Sequence, residues 1–270
     1  MDIKELNINQ TSQAAAGNNH PWEFVRARVV MDLLCKYLPA DNTCPDVIDI
    51  GCGDTFFLCR FCASHPSARP VAVDTAFTDD IIASLTAQHS SLGIRFFNDI
   101  SQVNLDGHKA SVIFMMDVIE HIGDDVAFLK LLPAKDYVGN DTVFLITVPA
   151  WQKLYCSHDK WLGHYRRYNL KLLRRHVSDA GLQVCRDGYF FFSLLIPRLF
   201  QKFFELIHPA DRQVTGIGEW KGGPFLSRVY SAALLADYYF SKILRSVGIR
   251  LPGLSAYVIC RRSSVSQTNI

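Results

Sequence analysis

The run Val47-Ile48-Asp49-Ile50-Gly51-Cys52-Gly53-Asp54-Thr55 constrains this chain more than any other stretch. A short β-forming segment, Val47–Ile50, ends in an acidic-x-Gly-x-Gly turn directly ahead of a helical segment at 56–64. The turn needs glycine because the backbone must bend sharply and let a ligand approach where a Cβ would stand. Strand, glycine turn and helix together open an α/β sheet, and such sheets bind ligands at the carboxyl ends of their strands.

The rest of the chain continues that alternation. Strands are expected at Val47–Ile50, Val71–Asp74, Ile94–Asn98, Ser111–Met116 and Thr142–Val148, with helices at about 56–64, 79–91, 118–132 and 169–180. Asn169 caps the last of these, Gly181 ends it, and Leu182–Arg186 reads as a sixth strand. Tyr189–Ile207 and Phe225–Val247 are long, aromatic-rich helical segments joined by the Gly/Pro-bearing stretch Pro209–Pro224. Ser255–Arg261 returns as a last strand, expected to close the sheet edge. Ahead of the sheet, Pro21 opens an amphipathic helix carrying Trp22, Val25, Val29, Leu33, Leu34 and Tyr37.

At 270 residues and 49% apolar content, the chain is long enough for one sizeable core with a helical elaboration. The boundaries read as a mobile arm at 1–19, a core at 20–188, a helical insertion at 189–250, a final core strand at 251–263 and a tail at 264–270.

Acidic residues recur at the predicted strand ends: Asp49 before the glycines, Asp74 closing Val71-Ala72-Val73, and Asp99 after Asn98. Each alone is an ordinary turn or capping residue. In register along one rim, they resemble the pattern of class I S-adenosylmethionine-dependent methyltransferases. Motif I of that family is acidic-x-Gly-x-Gly-x-Gly; Asp49, Gly51 and Gly53 match it around Cys52, and Thr55 stands where the third glycine would be. The resemblance implies a Rossmann-like, doubly wound, mostly parallel seven-stranded sheet with an apolar helical insertion before the last strand. It also implies S-adenosylmethionine as cofactor, with Asp74 meeting the ribose hydroxyls, Asp99 the adenine amino group, Met116 at the end of strand four lying near the adenine, and Asp117, a further cofactor-binding candidate, starting the following turn.

Asp117, Glu120 and His121 stand at the spacing of a metal-ligand motif in the ubiquinone-biosynthesis O-methyltransferases, with Asp where those have Glu. A divalent metal there competes with a structural Glu-His turn, and the turn is the favoured reading. The segment after strand five, Trp151 through His158 to Gly163-His164-Tyr165-Arg166-Arg167-Tyr168, resembles a bacterial methyltransferase subgroup with a His-Tyr-Arg-Arg-Tyr signature. In methyltransferases of this shape that connection borders the acceptor. Trp151, Tyr165, Arg166, Arg167 and Tyr168 are therefore the candidate substrate residues, since paired guanidinium groups beside rings can hold an anion while stacking on it. The alternative is that the arginines pair with the protein's own carboxylates. His164, His121 and His158 are the candidate general bases, His164 first. On the N-terminal helix, Arg28 is a candidate for the methionine carboxylate of the cofactor.

Charge and hydropathy narrow the partners. A formal net charge of +2 is too small for the basic field that nucleic-acid binding uses, so no nucleic acid is expected. Eight cysteines, mostly in apolar runs, and no charged-then-apolar leader pattern predict a reducing cytoplasm. No run reaches the roughly 18 to 20 uninterrupted apolar residues of a spanning helix. Mean hydropathy is nevertheless +0.09, and 189–207 interleaves large apolar side chains with a few cations. That stretch reads as a peripheral contact at the inner face of the membrane, as the roof of a hydrophobic substrate pocket, or as a core or subunit contact.

The leading expectation is methylation, on oxygen, of a hydrophobic or carrier-linked small molecule bearing an anionic group. N- or C-methylation on the same fold is the nearest rival. A nicotinamide-dependent oxidoreductase is a second class, against which Phe56 speaks by occupying the place of the third glycine in Gly-x-Gly-x-x-Gly. A non-catalytic protein that only binds S-adenosylmethionine is a third.

Overall fold

The structure is a computed structural model, and it describes residues 20–38, 45–207 and 222–263. The arm expected at 1–19, the tail at 264–270 and most of the Pro209–Pro224 connection lie outside these residues.

The described chain runs α1 (Pro21–Leu34), β1 (Asp46–Ile50), α2 (Phe56–Ser64), β2 (Arg69–Val73), α3 (Asp79–Gln88), β3 (Arg95–Phe97) and β4 (Val112–Met116). It continues through α4 (Asp125–Leu131), β5 (Val143–Pro149), α5 (Ser157–Leu162), α6 (Leu170–Asp179), β6 (Leu182–Phe190), α7 (Leu195–Ile207), α8 (Pro224–Ser246) and β7 (Ser255–Arg262). The strands form one seven-stranded sheet in the order β3-β2-β1-β4-β5-β7-β6. The strands β1 to β5 pair in parallel, and β7 runs antiparallel to both its neighbours. This is a Rossmann-like α/β fold with a helical insertion before its last strand.

Period-two alternation divides each central strand between two cores. Ile48, Ile113, Met115, Phe144 and Ile146 face one cluster, closed by Leu129, Leu173 and Val177 from α4 and α6. Val47, Val112, Phe114 and Leu145 face the other, closed by Val29 and Leu33 of α1, Phe57 and Phe61 of α2, and Leu234 and Tyr238 of α8. The central strands are buried on both sides, as parallel strands between two helical layers must be.

Three expectations need correction. The last strand does not close the sheet edge: β7 lies between β5 and β6, and β6 is the edge. Burial explains the order, because Ala256 to Cys260 are all buried, whereas β6 alternates buried Leu182 with exposed Gln183. The segment from Tyr189 is not helical at its start; β6 extends to Phe190, paired with Ser255, and α7 begins only at Leu195. Pro197 therefore sits in the first turn of α7, where its missing N–H has no intrahelical partner to lose, and it starts the helix without breaking it. The helix expected at 118–132 is split into a 3₁₀ turn at Ile119–His121 and α4, whose cap Asp124 accepts from Ala127 N at 2.9 Å.

Candidate active site

The glycine loop follows β1 with Gly51, Gly53 and Thr55 all in the left-handed region, at φ 71°, 56° and 63°. Thr55 thus takes a conformation that glycine adopts far more readily. That conformation costs an L-residue about 1–2 kcal/mol. It is offset by complete burial and by Thr55 Oγ1, which donates to the Asp54 carbonyl at 2.6 Å. A Cβ on Gly51 would stand 2.6 Å from Val118 Cγ2, so the first glycine is required by space as well as by φ.

Asp74 fastens the loop to the end of β2. Its carboxylate accepts from Gly53 N and Ala76 N, both at 3.0 Å, and each oxygen keeps a further lone pair. Asp49, in β1 two residues before Gly51, is 1% exposed, and neither of its oxygens has a hydrogen-bond partner. Burial pushes its pKa up to about 8, the Asp74 charge adds to the rise, and Arg26 opposes it. Asp99 lies beyond β3, exposed, and accepts from Ser101 N at 2.6 Å; its hydrogen bonds with Ser101 hold its pKa down.

Gly51, Cys52 and Met116 line a pocket over the loop, closed from α1 by Glu23, Arg26 and Ala27. Arg26 lies over the Trp22 ring at 4.5 Å and pairs with the Asp117 carboxylate. Asp117, at φ 57°, also accepts from Thr147 Oγ1 at 3.4 Å. The expected arginine is corrected here: Arg28 is exposed, and Arg26 is the cation that faces the loop. Spacing could have found it, since Arg26 falls one turn after Trp22 on the same helix face.

Beyond Asp117 the 3₁₀ turn presents Glu120 and His121. Glu120 is fully buried with neither carboxylate oxygen hydrogen-bonded, and burial, then the Asp117 charge, pushes its pKa well above the ordinary range. The His121 ring meets the His164 ring edge-on at 4.6 Å. Ligand atoms of Glu120, His121 and His164 all lie within 4.8 Å of one another.

His164 is oriented by Asp159, its Nδ1 lying 2.9 Å from Asp159 Oδ1, which leaves Nε2 with the free lone pair when the carboxylate is ionised. Asp159 is fully buried and also accepts from Arg167 Nε at 2.7 Å, Cys156 N at 2.9 Å and Arg198 at 3.0 Å. Burial works against its charge, but the hydrogen bond from His164 and the Arg167 guanidinium prevail and hold its pKa well below the usual carboxylate range. Sequence reasoning assigned Asp159 no role; the signal was an acid five residues before His164 and eight before Arg167. His158 stacks on Trp161 at 6.0 Å, and burial followed by the Arg198 charge lowers its pKa.

The expected anion clamp is spent inside the protein. Arg167 is buried against Asp159 and the Ala150 carbonyl. Arg166 pairs with Asp125 at 3.0 Å and donates to the Ile122 carbonyl. Tyr168 is fully buried and donates to Asp125 Oδ2 at 2.5 Å. Arg166 and Tyr168 brace the post-β5 connection against the turn after β4, and Arg167 ties that connection to itself, as the alternative reading of the arginines allowed. Trp151 stacks on Tyr189 at 4.8 Å and donates to the Gly253 carbonyl at 2.9 Å. Tyr165 alone of the signature stays open, 63% exposed.

No protein-family model matches the chain. Over 93 residues it is 37% identical to the ubiquinone biosynthesis O-methyltransferase of Bartonella quintana (strain Toulouse), a match covering 34% of this chain. The match spans 36% of that protein, about a third of the curated relative's length. Among solved structures, a S-adenosylmethionine-dependent methyltransferase from Clostridium acetobutylicum ATCC 824 superposes with a TM-score of 0.51 at 12% identity, over 97% of this chain and 98% of that one. The cyclase SpnF superposes at 0.52 with 15% identity, over 92% and 84%. One fold thus serves different chemistries, and the site has to decide between them. The chain has the Rossmann-like fold of class I S-adenosylmethionine-dependent methyltransferases, with its glycine loop and its Glu120, His121 and His164 cluster on the turns after β1, β4 and β5.

Proposed function

We propose that the protein is an S-adenosylmethionine-dependent methyltransferase acting on a hydroxyl of a small, apolar or carrier-linked acceptor. The observation that carries the reading is Asp49, a buried carboxyl with both oxygens unmet, set beneath a glycine loop that Asp74 holds open. A buried polar group without a partner is costly, and a ligand with hydroxyl and amino donors relieves it. The residues present fit the cofactor: Gly51, Cys52, Met116 and Arg26 line the pocket that would take it, Asp117 pairs with Arg26, and Gly53, Asp49 and Asp74 around the loop with Asp99 beyond β3 would complete its contacts. When bound, it supplies a sulfonium methyl with a good leaving group.

The protein's own part is to align the acceptor, exclude water and move one proton. His164 does the last, taking the hydroxyl proton at Nε2 while Asp159 holds Nδ1. Burial of Glu120 favours its neutral form, which limits negative charge in the cluster. An anionic handle on the acceptor finds less support, because Arg166 and Arg167 are internally paired.

A second reading of the same cluster rests on the convergence of Glu120, His121 and His164 within 4.8 Å: a divalent cation held by one carboxylate and two imidazoles, with Asp159 fixing the His164 tautomer. Turnover that survives exhaustive chelation leaves His164 as the base; turnover lost on chelation and restored by one cation favours the metal.

The decisive experiment incubates purified protein with methyl-labelled S-adenosylmethionine and separate lipid and polar cell extracts, followed by mass spectrometry. Label on the oxygen of an apolar product is expected, label on nitrogen or carbon transfers the assignment to those rivals, and label only in polar products overturns the acceptor class. Calorimetry that detects no binding of S-adenosylmethionine or S-adenosylhomocysteine to folded protein overturns the whole reading, and a melting shift with NADH in their place would favour the oxidoreductase.

A further inference from the structure

Helix α7 wears its polar residues inward. Arg198 donates to buried Asp159 at 3.0 Å, Lys202 to the Tyr155 carbonyl, and Glu205 accepts from Ser157 N at 2.7 Å. The opposite stripe, Ile196, Leu199, Phe200, Phe203, Phe204 and Ile207, follows helical spacing and is 52% to 59% exposed at every position. A helix on a water-facing surface has the reverse arrangement. Helix α8 repeats the theme: Leu234 and Tyr238 pack inward, while Phe225, Val229, Phe240, Ile243 and Val247 are 51% to 76% exposed. The helices are tied where Ser193, just before α7, donates to Asp237 in the middle of α8.

We propose that α7 and α8 form a docking face for an anionic phospholipid bilayer, on which the protein lies without crossing it. The charge distribution chooses this occupant. Of the cations in residues 189–207 and 222–250, Arg198, Lys202 and Arg245 turn to Asp159, the Tyr155 carbonyl and Tyr257, while Arg228, Lys242 and Arg250 are exposed, Lys242 and Arg250 on the outer side of their pairs with Asp32 and Asp187; the acids of these residues are Glu205 and Asp237. Both acids are turned to the protein, Glu205 on Ser157 and Asp237 on Ser193. Among the described residues, the apolar stripes therefore have no unengaged carboxylate beside them, and exposed Arg228 stands between Leu226 and Val229. Large apolar side chains rimmed by cations suit the boundary between headgroups and acyl chains. A second copy of the chain would instead set like charges face to face. No helix among the described residues is long and apolar enough to cross a membrane, which leaves the interfacial position.

The proposal is independent of the methyl-transfer reading and is tested on the full chain without cofactor. Vesicles of phosphatidylglycerol and phosphatidylcholine should co-sediment the protein at least tenfold more strongly than phosphatidylcholine alone, with the difference shrinking in high salt. A triple variant, Phe200→Ser with Phe203→Ser and Phe204→Ser, should lose tenfold or more of vesicle affinity while its circular dichroism and melting temperature stay within error, since all three side chains are exposed. Arg228→Glu should reduce the preference for anionic vesicles and leave the weak binding to neutral ones. No sedimentation with anionic vesicles overturns the proposal, as does a triple variant that folds and binds undiminished. A stable dimer, seen by analytical ultracentrifugation and broken by the triple substitution without any vesicle binding, assigns the face to a second copy instead.

Discussion

Arg26 on α1 and Asp117 at the end of β4, 91 residues apart, form an ion pair that holds the N-terminal helix over the glycine loop. Their side chains are 12% and 31% exposed, so the pair contributes on the order of 1 kcal/mol to folding. Arg26→Ala is expected to lower the melting temperature only slightly but to weaken S-adenosylhomocysteine binding by about tenfold, equivalent to about 1.4 kcal/mol. Unchanged affinity by calorimetry would show that α1 takes no part in the cofactor site.

Asp49 makes the free protein's stability depend on pH in an unusual direction. Its pKa is raised from the ordinary 3.8 to about 8, so the folded state binds a proton more tightly than the unfolded state does. That contribution is complete below the ordinary carboxylate pKa, shrinks as pH climbs, and is lost by the time pH passes the folded value. Asp49→Asn, neutral and nearly isosteric, should gain melting temperature relative to the parent between about pH 5 and pH 9. Parallel pH profiles for the two proteins would mean that the carboxyl has a donor and is ionised.

Asp159 has the opposite sign. Its folded pKa is depressed, so its stabilisation is present above the ordinary carboxylate range and disappears as acid brings pH down through the folded value. Asp159→Ala leaves Arg167 and Arg198 as buried cations without their carboxylate and should cost about 3–5 kcal/mol in urea denaturation at neutral pH. A loss below about 1 kcal/mol would show that the network contributes little to folding.

Gly51 is constrained twice, by φ 71° and by Val118. Gly51→Ala should destabilise the protein by about 1–3 kcal/mol and abolish S-adenosylhomocysteine binding. Adding Val118→Ala should return part of the stability by removing the steric contact, while the backbone strain persists. Full recovery of both properties would show that φ at this position is unimportant.

The parts of the fold legible in sequence were those set by local pattern. Val47–Ile50 and Thr142–Val148 are apolar runs of strand length, and both are central strands. What escaped is set by pairing across distance. Nothing in Ser255–Arg261 states that it inserts between β5 and β6 in place of the edge, because an apolar strand suits any doubly covered position. The site divides the same way. The glycine loop announces itself because backbone conformation leaves few residue choices there. Asp159 does not, because its role is made by Arg167, His164 and Arg198, which the tertiary fold gathers. Guanidinium groups can grip a bound anion, but for Arg166 and Arg167 the fold itself supplies the carboxylates, Asp125 and Asp159.

Helix α1 is held from two sides. Its Arg26 reaches the loop side, and its Asp32 accepts from Tyr238 and Lys242 of α8, the helix whose other face lies open. A displacement of α8 toward an external layer therefore strains the same rod that covers the pocket. If a donor occupies the pocket and a layer meets α8, any factor by which one alters affinity for the other is returned in equal measure.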